Sequence, residues 1–195
     1  MVLLLSAGLA YAAVYECTSG RACIGTDGTD TLHGSDGWDY MDGRQGDDRL
    51  FGNERGDVLS GDAWDAPNND TSTDGDDLLR GGPGWDELYG YGGDDRFYGS
   101  LSGDFIFAEE SSEAGGEDTV YGGKGNDYIT ARDGVQDAIS CGGGDMDVAF
   151  FDKNGVDTVE DNCEYKNRWP DFWGFSSSAA EKVSAGKVGT LRARR

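Results

Sequence analysis

Apolar residues recur along this chain at a spacing of nine, and each stands two positions after an aspartate. The clearest copies lie side by side in residues 81–98, which read GGPGWDELY and GYGGDDRFY. Each copy begins with a glycine-rich turn, carries aspartate in its sixth place and has an apolar residue in its eighth place. Because successive side chains of a strand point to opposite faces, the eighth place is buried while the seventh and ninth point outward. The pattern predicts units of turn residues followed by a three-residue strand.

The same register extends from Gly25 to about Glu160 and predicts thirteen units. Their sixth-place aspartates are Asp30, Asp39, Asp48, Asp57, Asp77, Asp86, Asp95, Asp104, Asp118, Asp127, Asp137, Asp147 and Asp157. Their eighth-place residues are Leu32, Met41, Leu50, Leu59, Leu79, Leu88, Phe97, Ile106, Val120, Ile129, Ile139, Ala149 and Val159, and none of them is polar. Two longer spacings predict turn insertions near residues 61–71 and 108–112.

The repetition also predicts the fold class. A chain that reverses after each nine-residue unit needs 18 residues per coil, so unit i stacks on unit i+2 and the strands align in parallel in two sheets. We therefore predict an all-β protein, a parallel β-roll (solenoid) of about thirteen nonapeptide units. Both insertions precede odd-numbered units, which predicts that Trp64 and Glu110 lie at the same edge of the roll.

Composition changes this picture in one respect, the nature of the partner. The chain has 195 residues, of which 36% are hydrophobic, and 38 acidic residues give it a formal charge of -22. Such a composition is typical of disorder, but a strict period indicates that each unit buries its apolar residue against its neighbours. The acidic excess excludes nucleic acid and anionic membranes as partners and favours cations.

Stacked aspartates give a physical reason for a cation. Strands of neighbouring coils lie about 4.8 Å apart, and two unit charges at about 5 Å repel by about 3 kcal/mol at an effective dielectric constant of 20. Glycines allow the positive φ angles that aim turn carbonyls inward. Carbonyl and carboxylate oxygens suit calcium, whereas soft metals prefer sulfur or imidazole. The chain has no CxxC motif and a single histidine, His33, which lies within the repeats.

The nine-residue unit resembles that of the RTX, or haemolysin-type, calcium-binding family. The resemblance covers Gly25 to about Glu160 and implies a right-handed parallel β-roll that binds several Ca²⁺ ions. It further implies that each ion is shared by the sixth-place aspartate and turn carbonyls of units i and i+2. The ends, flanked by cysteines, look like those of secreted bacterial members of the family that carry no other domain.

By position, the resemblance implies that the metal ligands are the sixth-place aspartate and the glycines at the first and fourth places of the turn. The aspartates are Asp30, Asp39, Asp48, Asp57, Asp77, Asp86, Asp95, Asp104, Asp118 and Asp127. The glycines are Gly25, Gly28, Gly34, Gly37, Gly43, Gly46, Gly81, Gly84, Gly90, Gly93, Gly122 and Gly125. The units of Asp57, Asp104, Asp137 and Asp147 lack the fourth-place glycine, which puts the geometry of those turns in question.

The two ends of the chain carry the remaining signals. Residues 1–12 read MVLLLSAGLAYA, a short apolar run with a small-x-small ending that predicts a signal peptide. Residues 13–24 are then an N-terminal cap, and residues 165–195 an aromatic, then basic tail that we expect to be disordered. Export to an oxidising compartment permits disulfides. Sequential pairing, Cys17 with Cys23 and Cys141 with Cys163, would link the chain covalently at each end of the roll. Sequence alone leaves three connectivities open.

The sequence favours a non-catalytic function outside the cell or at its surface. It contains neither HExxH nor GxSxG, and its carboxylates are assigned to ions, so we expect no enzyme. We expect a structural or self-associating element, or alternatively a calcium-dependent adhesin or polysaccharide-binding module. The discriminating feature is the outward strand positions. Even units carry Tyr40, Val58, Tyr89, Phe105, Phe107, Tyr128, Val148 and Phe150, and odd units carry Arg49, Phe51, Arg80, Arg96, Tyr98 and Tyr121.

Overall fold

A computed structural model describes residues 12–62, 74–108, 115–152 and 156–167. Within these ranges the chain forms sixteen strands and no helix. The first eight are β1 (Ala13–Glu16), β2 (Ala22–Ile24), β3 (Asp30–His33), β4 (Tyr40–Arg44), β5 (Arg49–Phe51), β6 (Val58–Asp62), β7 (Leu78–Pro83) and β8 (Glu87–Tyr89). The others are β9 (Arg96–Leu101), β10 (Phe105–Phe107), β11 (Thr119–Lys124), β12 (Tyr128–Ala131), β13 (Ala138–Gly143), β14 (Val148–Phe151), β15 (Thr158–Val159) and β16 (Tyr165–Lys166). The described part of the chain thus offers no helix long and apolar enough to cross a bilayer.

The strands alternate between two parallel sheets, as expected for a roll. One sheet has the order β1-β3-β5-β7-β9-β11-β13-β15, and the other has the order β16-β14-β12-β10-β8-β6-β4-β2. In the regular repeats a strand residue pairs with the residue 18 positions later, as Thr31 does with Arg49 and Tyr40 with Val58. Toward the C-terminal end the spacing changes, to 19 for Thr119 with Ala138 and 20 for Tyr128 with Val148. The predicted parallel β-roll is confirmed. We call the two surfaces the odd sheet and the even sheet after their strands.

The core lies between the two sheets and consists of the eighth-place residues. Leu32, Met41, Leu50, Leu59 and Phe97 are fully buried, and so are the corresponding residues as far as Ile129. They form one continuous column of contacts along the roll. Fully burying a side chain of this size contributes about 1.5–3 kcal/mol, so a single apolar residue per unit gives each coil its share of the core.

Both ends of the roll extend beyond the predicted repeats. Strands β1 and β2, in the predicted N-terminal cap, pair with β3 and β4 and so form a first coil. Strand β16 pairs with β14, which carries the roll past its predicted end at residue 164 into the first residues of the expected tail. Disulfides join Cys17 to Cys23 and Cys141 to Cys163. This is the sequential pairing, and both bridges pack against the ends of the core column.

The two predicted insertions fall in equivalent connections. The first lies between β6 and β7 and the second between β10 and β11, so both connections lead from the even sheet to the odd sheet. Connections of the same direction share an edge of the roll. Trp64 and Glu110 themselves lie outside the described residues, as do the predicted signal peptide up to residue 11 and the tail from residue 168.

The outward faces carry the aromatic residues, but not all of them are exposed. On the even sheet Tyr89 stacks on Phe107, with ring centroids 4.6 Å apart. Val148 and Phe150 were expected to be exposed, yet only 6% and 9% of their surfaces are accessible. The guanidinium of Arg132 lies over the Phe150 ring at 4.7 Å, and this contact covers Phe150 on the outer face.

Candidate metal centre

Each sixth-place aspartate is buried where its turn leads into its strand. From Asp30 to Asp147 none of these side chains is more than 1% exposed. From Asp48 onward, the Oδ1 atom of each accepts a hydrogen bond from the backbone N–H of the sixth-place aspartate one coil earlier. Asp30 N–H donates to Asp48 Oδ1 at 2.6 Å, and Asp39 N–H donates to Asp57 Oδ1 at 2.8 Å. The carboxylate oxygen therefore takes the place of the backbone carbonyl that would accept this N–H in a regular parallel sheet.

Repetition of this bond produces two aspartate ladders, one beside each sheet. The odd ladder contains Asp30, Asp48, Asp77, Asp95, Asp118, Asp137 and Asp157. The even ladder contains Asp39, Asp57, Asp86, Asp104, Asp127 and Asp147. Their N–H···O distances lie between 2.6 and 3.1 Å.

Glu164 ends the even ladder, and the sequence analysis did not include it. Asp147 N–H donates to Glu164 Oε2 at 2.9 Å. The signal was available in the spacing, because Glu164 stands 17 residues after Asp147, close to one coil. At the other end, Ala13 N–H donates to Asp30 Oδ1 at 2.8 Å.

The second oxygen of most ladder aspartates has no partner. The buried Oδ2 atoms that lack a hydrogen bond belong to Asp48, Asp57, Asp77, Asp86, Asp95, Asp104, Asp118, Asp127, Asp137 and Asp147. Native proteins rarely leave buried polar atoms unpaired, because such an atom has lost its water without compensation. This column of oxygens therefore requires protons or cations.

Burial shifts the protonation of these carboxyls strongly. Desolvation raises the pKa of Asp57 and of Asp86 to about 7, against the lowering effect of the backbone N–H that each accepts. It raises the pKa of Asp104 to about 8 and that of Asp95 well above the ordinary value, with neighbouring ladder charges adding to the shift. A bare, ionised ladder is therefore unfavourable near neutral pH.

The first-place glycines provide the space at these oxygens. A Cβ atom on Gly52 would lie 2.6 Å from Asp57 Oδ2 and 2.5 Å from the carbonyl oxygen of Gly81 in the next coil. A Cβ on Gly25 would similarly lie 2.8 Å from Asp30 Oδ2 and 2.5 Å from the Gly43 carbonyl. Carboxylate and carbonyl oxygens of two successive coils thus converge beside each such glycine, and a methyl group there would collide with both.

The other first-place glycines follow the same arrangement, with one exception. Gly43, Gly81, Gly90 and Gly122 lie against the Oδ2 atoms of Asp48, Asp86, Asp95 and Asp127. Gly34 lies against the carbonyls of Phe51 and Gly52 instead. At these turns the first-place glycine allows the close approach of carboxylate and carbonyl oxygens, and it does not adopt the positive φ that was expected of the turn glycines.

The positive φ angles lie at the second and fourth places of the turn. Gly46 and Gly93, both fourth-place residues, have φ of 98° and 102°. Arg55 and Ser102 occupy the fourth place without being glycine, and they adopt φ of 74° and 81°. The turns of Asp57 and Asp104, which sequence reasoning placed in question, therefore keep the left-handed conformation. Of the other predicted fourth-place glycines, Gly84 and Gly125 have φ of 159° and 127°, whereas Gly28 and Gly37 do not adopt a positive φ.

The first two ladder aspartates differ from the rest. Asp30 Oδ2 accepts hydrogen bonds from the N–H and Oγ1–H of Thr26, at 2.5 and 2.8 Å. Asp39 Oδ2 accepts them from the N–H and Oγ–H of Ser35, at 2.7 and 2.8 Å. Asp30 is thereby satisfied at both oxygens, whereas Asp39 keeps Oδ1 unpaired.

The charges around the ladders are almost all negative. In the described ranges the ion pairs are Arg44 with Asp27 at 3.5 Å and Lys166 with Asp161 at 3.4 Å, and neither involves a ladder residue. No three His, Cys, Asp or Glu side chains converge within those ranges. His33 stacks on Phe51, with centroids 5.1 Å apart. An ion in the ladder would thus take one carboxylate per turn and fill its shell with carbonyl oxygens, a set of hard ligands that fits calcium.

Comparison with known proteins identifies the repeat. The family model described as the RTX calcium-binding nonapeptide repeat matches residues 24–50, 71–106 and 114–135, in four copies. Searches of curated proteins and of solved structures gave no match. The matched segments contain Asp30, Asp86 and Asp127, each in the turn geometry described above. The chain therefore carries RTX calcium-binding nonapeptide repeats, folded as a parallel β-roll.

Proposed function

We propose that calcium ions bind between successive turns along both ladders and that their binding folds the roll. One observation carries the proposal: the buried, unpaired Oδ2 atoms face carbonyl oxygens of the next coil across a space that only glycine leaves open. A divalent cation there neutralises the carboxylate and occupies its free lone pairs. Protons would neutralise the same carboxylates one at a time, but they would leave the facing carbonyl oxygens without a cation to coordinate.

We assign the carboxylate ligands to the aspartates whose Oδ2 atoms are unpaired, such as Asp48, Asp57, Asp86 and Asp95. The backbone carbonyls of first-place glycines supply further ligands. Asp30 and Asp39 belong to the predicted set, but the hydroxyls of Thr26 and Ser35 already donate to them. We therefore propose that these two turns bind calcium most weakly.

Ligand binding of this kind supplies folding free energy, because the unfolded chain holds no preformed site. Each site adds about 2.7 kcal/mol when free calcium is a hundredfold above its dissociation constant. With a formal charge of -22 on the chain, repulsion opposes the compact state until the ions neutralise it. Chelation should consequently unfold the roll.

Circular dichroism of the chain in chelator and in millimolar calcium tests this proposal. At pH 8, where the ladder carboxyls would have to ionise, we expect a largely unfolded spectrum in chelator and a β spectrum in calcium, with magnesium at the same concentration as the control. Magnesium retains its water and fits flexible carbonyl cages poorly. Equal β content in chelator and in calcium would contradict the proposal.

We further propose that the roll acts outside the cell as a structural or self-associating element. Both disulfides suit an oxidising compartment, and the predicted signal peptide is in keeping with export. Aromatic stacks run along both outer faces: Tyr89 with Phe107 on the even sheet, and Tyr98 with Tyr121 at 5.2 Å on the odd sheet. Exposed apolar surface of this kind favours association. The role that we propose is not enzymatic.

A calcium-dependent adhesin or polysaccharide-binding module is the second candidate. Tyr121 and Phe105 are 45% and 41% exposed, and flat aromatic rings can pack against sugar rings. Solution mass in calcium, measured over a concentration series, separates the candidates. A mass that rises with concentration favours self-association, whereas a monomer that co-sediments with insoluble polysaccharide only in calcium favours the adhesin.

A further inference from the structure

The turn that carries the first insertion has a buried acid in its second place, which the second places of the other described turns lack. Strand β6 ends at Asp62, which pairs in register with Arg44 of the neighbouring coil. In other turns the second place carries residues such as Arg44 and Asn53, which are exposed. The Asp62 side chain is instead only 1% exposed.

Asp62 connects the two ends of the insertion. Its Oδ2 accepts a hydrogen bond from the N–H of Gly75 at 3.2 Å, across a sequence separation of 13. Its Oδ1 is buried and has no hydrogen-bond partner. One oxygen of this carboxylate thus closes the base of the insertion, and the other is unpaired inside the protein.

A second unpaired oxygen belongs to the same turn. Asp77, the ladder residue of this unit, accepts the Asp48 N–H at Oδ1 and leaves the buried Oδ2 without a partner. This Oδ2 lies directly against Gly61, the residue before Asp62, and the Gly90 carbonyl oxygen lies 3.0 Å from the Cβ position of Gly61. Two carboxylates and a carbonyl of the next coil therefore meet at one turn.

No basic side chain balances this pair. Burial, followed by the negative charges of Asp77 and Asp74, raises the pKa of Asp62 to about 10. Arg44, its neighbour in the sheet, directs its guanidinium to the exposed carboxylate of Asp27 instead, at 3.5 Å. The two acids share a buried site whose charge the described side chains do not neutralise.

We propose that the base of the first insertion is a calcium site with two carboxylate ligands, Asp62 and Asp77, completed by the Gly90 carbonyl oxygen, and that it binds the ion more tightly than the one-carboxylate turns. Calcium affinity rises with the number of charged ligands. The ion also links Asp62, at the start of the insertion, to Asp77, which follows the end of the insertion. This inference rests on the proposed calcium binding of the roll and adds a specific first site to it.

Asp62→Asn in the full chain tests the site, and calcium titration followed by calorimetry is the measurement. The amide retains an acceptor for Gly75 N–H and removes only the charge. We expect the affinity for the first calcium ion to fall by about tenfold or more, with the weaker sites unchanged. Asp36→Asn, which removes one charge from an exposed turn residue, is the matched control and should leave the first ion's affinity unchanged.

The alternative is that Asp62 is a neutral, protonated acid. In that case Asp62→Asn binds the first ion as tightly as the unmodified chain, and the proposal is wrong. Asp62→Glu serves as the second variant if the amide impairs folding, because it keeps the charge. The proposal expects Asp62→Glu to retain tight binding of the first ion. If Asp62→Asn and Asp62→Glu weaken the binding of the first ion equally, the shape of the side chain matters and not its charge. That result also overturns the proposal. A chain that binds no calcium at all refutes instead the function proposed for the whole roll.

Discussion

The backbone N–H of Asp48 donates to Oδ1 of Asp77 at 2.7 Å, across a sequence separation of 29. The preceding bond of the same ladder, from Asp30 to Asp48, spans 18 residues. The difference, 29 minus 18, is the 11 residues of the first insertion. The aspartate ladder thus passes the insertion without a break, because the residues that flank the insertion, Asp62 and Asp74, belong to the same turn.

Removing residues 63–73 should therefore leave the roll intact. The deletion joins Asp62 to Asp74 and restores a unit of nine residues from Gly61 to Arg80. We expect the same β spectrum in calcium and a free energy of unfolding within about 1 kcal/mol of the full chain, because the closure cost of a loop changes slowly with its length. Urea unfolding in millimolar calcium is the measurement.

A deletion of equal length inside the ladder is the appropriate control. Removing residues 90–100 takes out the Asp95 turn and most of β9, and it should unfold the chain or shift its register. Comparable damage from the two deletions would show that the first insertion is part of the folded roll.

First-place glycines should tolerate no side chain. In Gly52→Ala the added methyl would meet Gly81 O at 2.5 Å and Asp57 Oδ2 at 2.6 Å. We expect a loss of about 1–3 kcal/mol in unfolding free energy together with weaker calcium binding, since the methyl fills the proposed ion space. Urea unfolding and calcium titration measure the two effects.

Gly143→Ala provides the matched comparison for that substitution. A Cβ at Gly143 has no atom within 4 Å, and this glycine lies at the end of strand β13. Its replacement should change neither stability nor calcium affinity appreciably. If Gly52→Ala behaves in the same way, the space beside Asp57 is not an ion site.

The sequence was sufficient for the fold because the fold depends on a repeated spacing. Aspartate followed two positions later by an apolar residue, as in Asp57 and Leu59, places both on the same face of a strand. Repetition at nine residues then requires stacking, since a single unit cannot bury its apolar residue alone. The column of core residues and the two parallel sheets follow from that argument.

The details of the turns did not follow from residue types. Ser35 and Ser100 occupy the same place in their units, yet only Ser35 donates to the Oδ2 of its ladder aspartate. Ser100 adopts φ of 92°, and Asp104 Oδ2 has no partner. Backbone conformation decides whether a hydroxyl reaches the carboxylate, and a hydroxyl at this place is compatible with both conformations. The unpaired oxygen of Asp62 was missed for a similar reason, because the residue type at the second place does not show whether its side chain is buried.

The two disulfides should contribute unequally to stability. Cys17–Cys23 closes a loop with a sequence separation of 6, whereas Cys141–Cys163 spans 22. Loop entropy predicts a loss of about 2 kcal/mol for replacing the first pair with alanine and about 3 kcal/mol for the second. The second pair is also buried in the core, so its replacement leaves a cavity and costs more. Urea unfolding of the two double variants in calcium measures the order, and a larger loss for Cys17 and Cys23 would contradict it.

The stability of the roll should depend on pH in opposite directions without and with calcium. Burial raises the pKa of Asp57, Asp86 and Asp127 to about 7 in the folded chain, whereas an unfolded aspartate has a pKa near 3.9. Between about pH 4 and pH 7 the folded chain therefore binds more protons than the unfolded chain, and its free energy of unfolding falls as the pH rises. The stability contributed by protonation is fully present below about pH 4 and is lost as the pH rises through about 7.

Calcium reverses the trend because it requires the ionised carboxylates and competes with protons for them. In chelator we expect the melting temperature to be highest near pH 5 and to fall toward pH 8. In millimolar calcium it should rise over the same interval. Thermal unfolding by circular dichroism at four pH values between 5 and 8, in both solutions, measures the two slopes. A melting temperature that rose with pH in chelator would mean that the ladder carboxyls are already ionised in the calcium-free roll. In that case no calcium ion is needed to keep buried, ionised carboxylates in the folded chain.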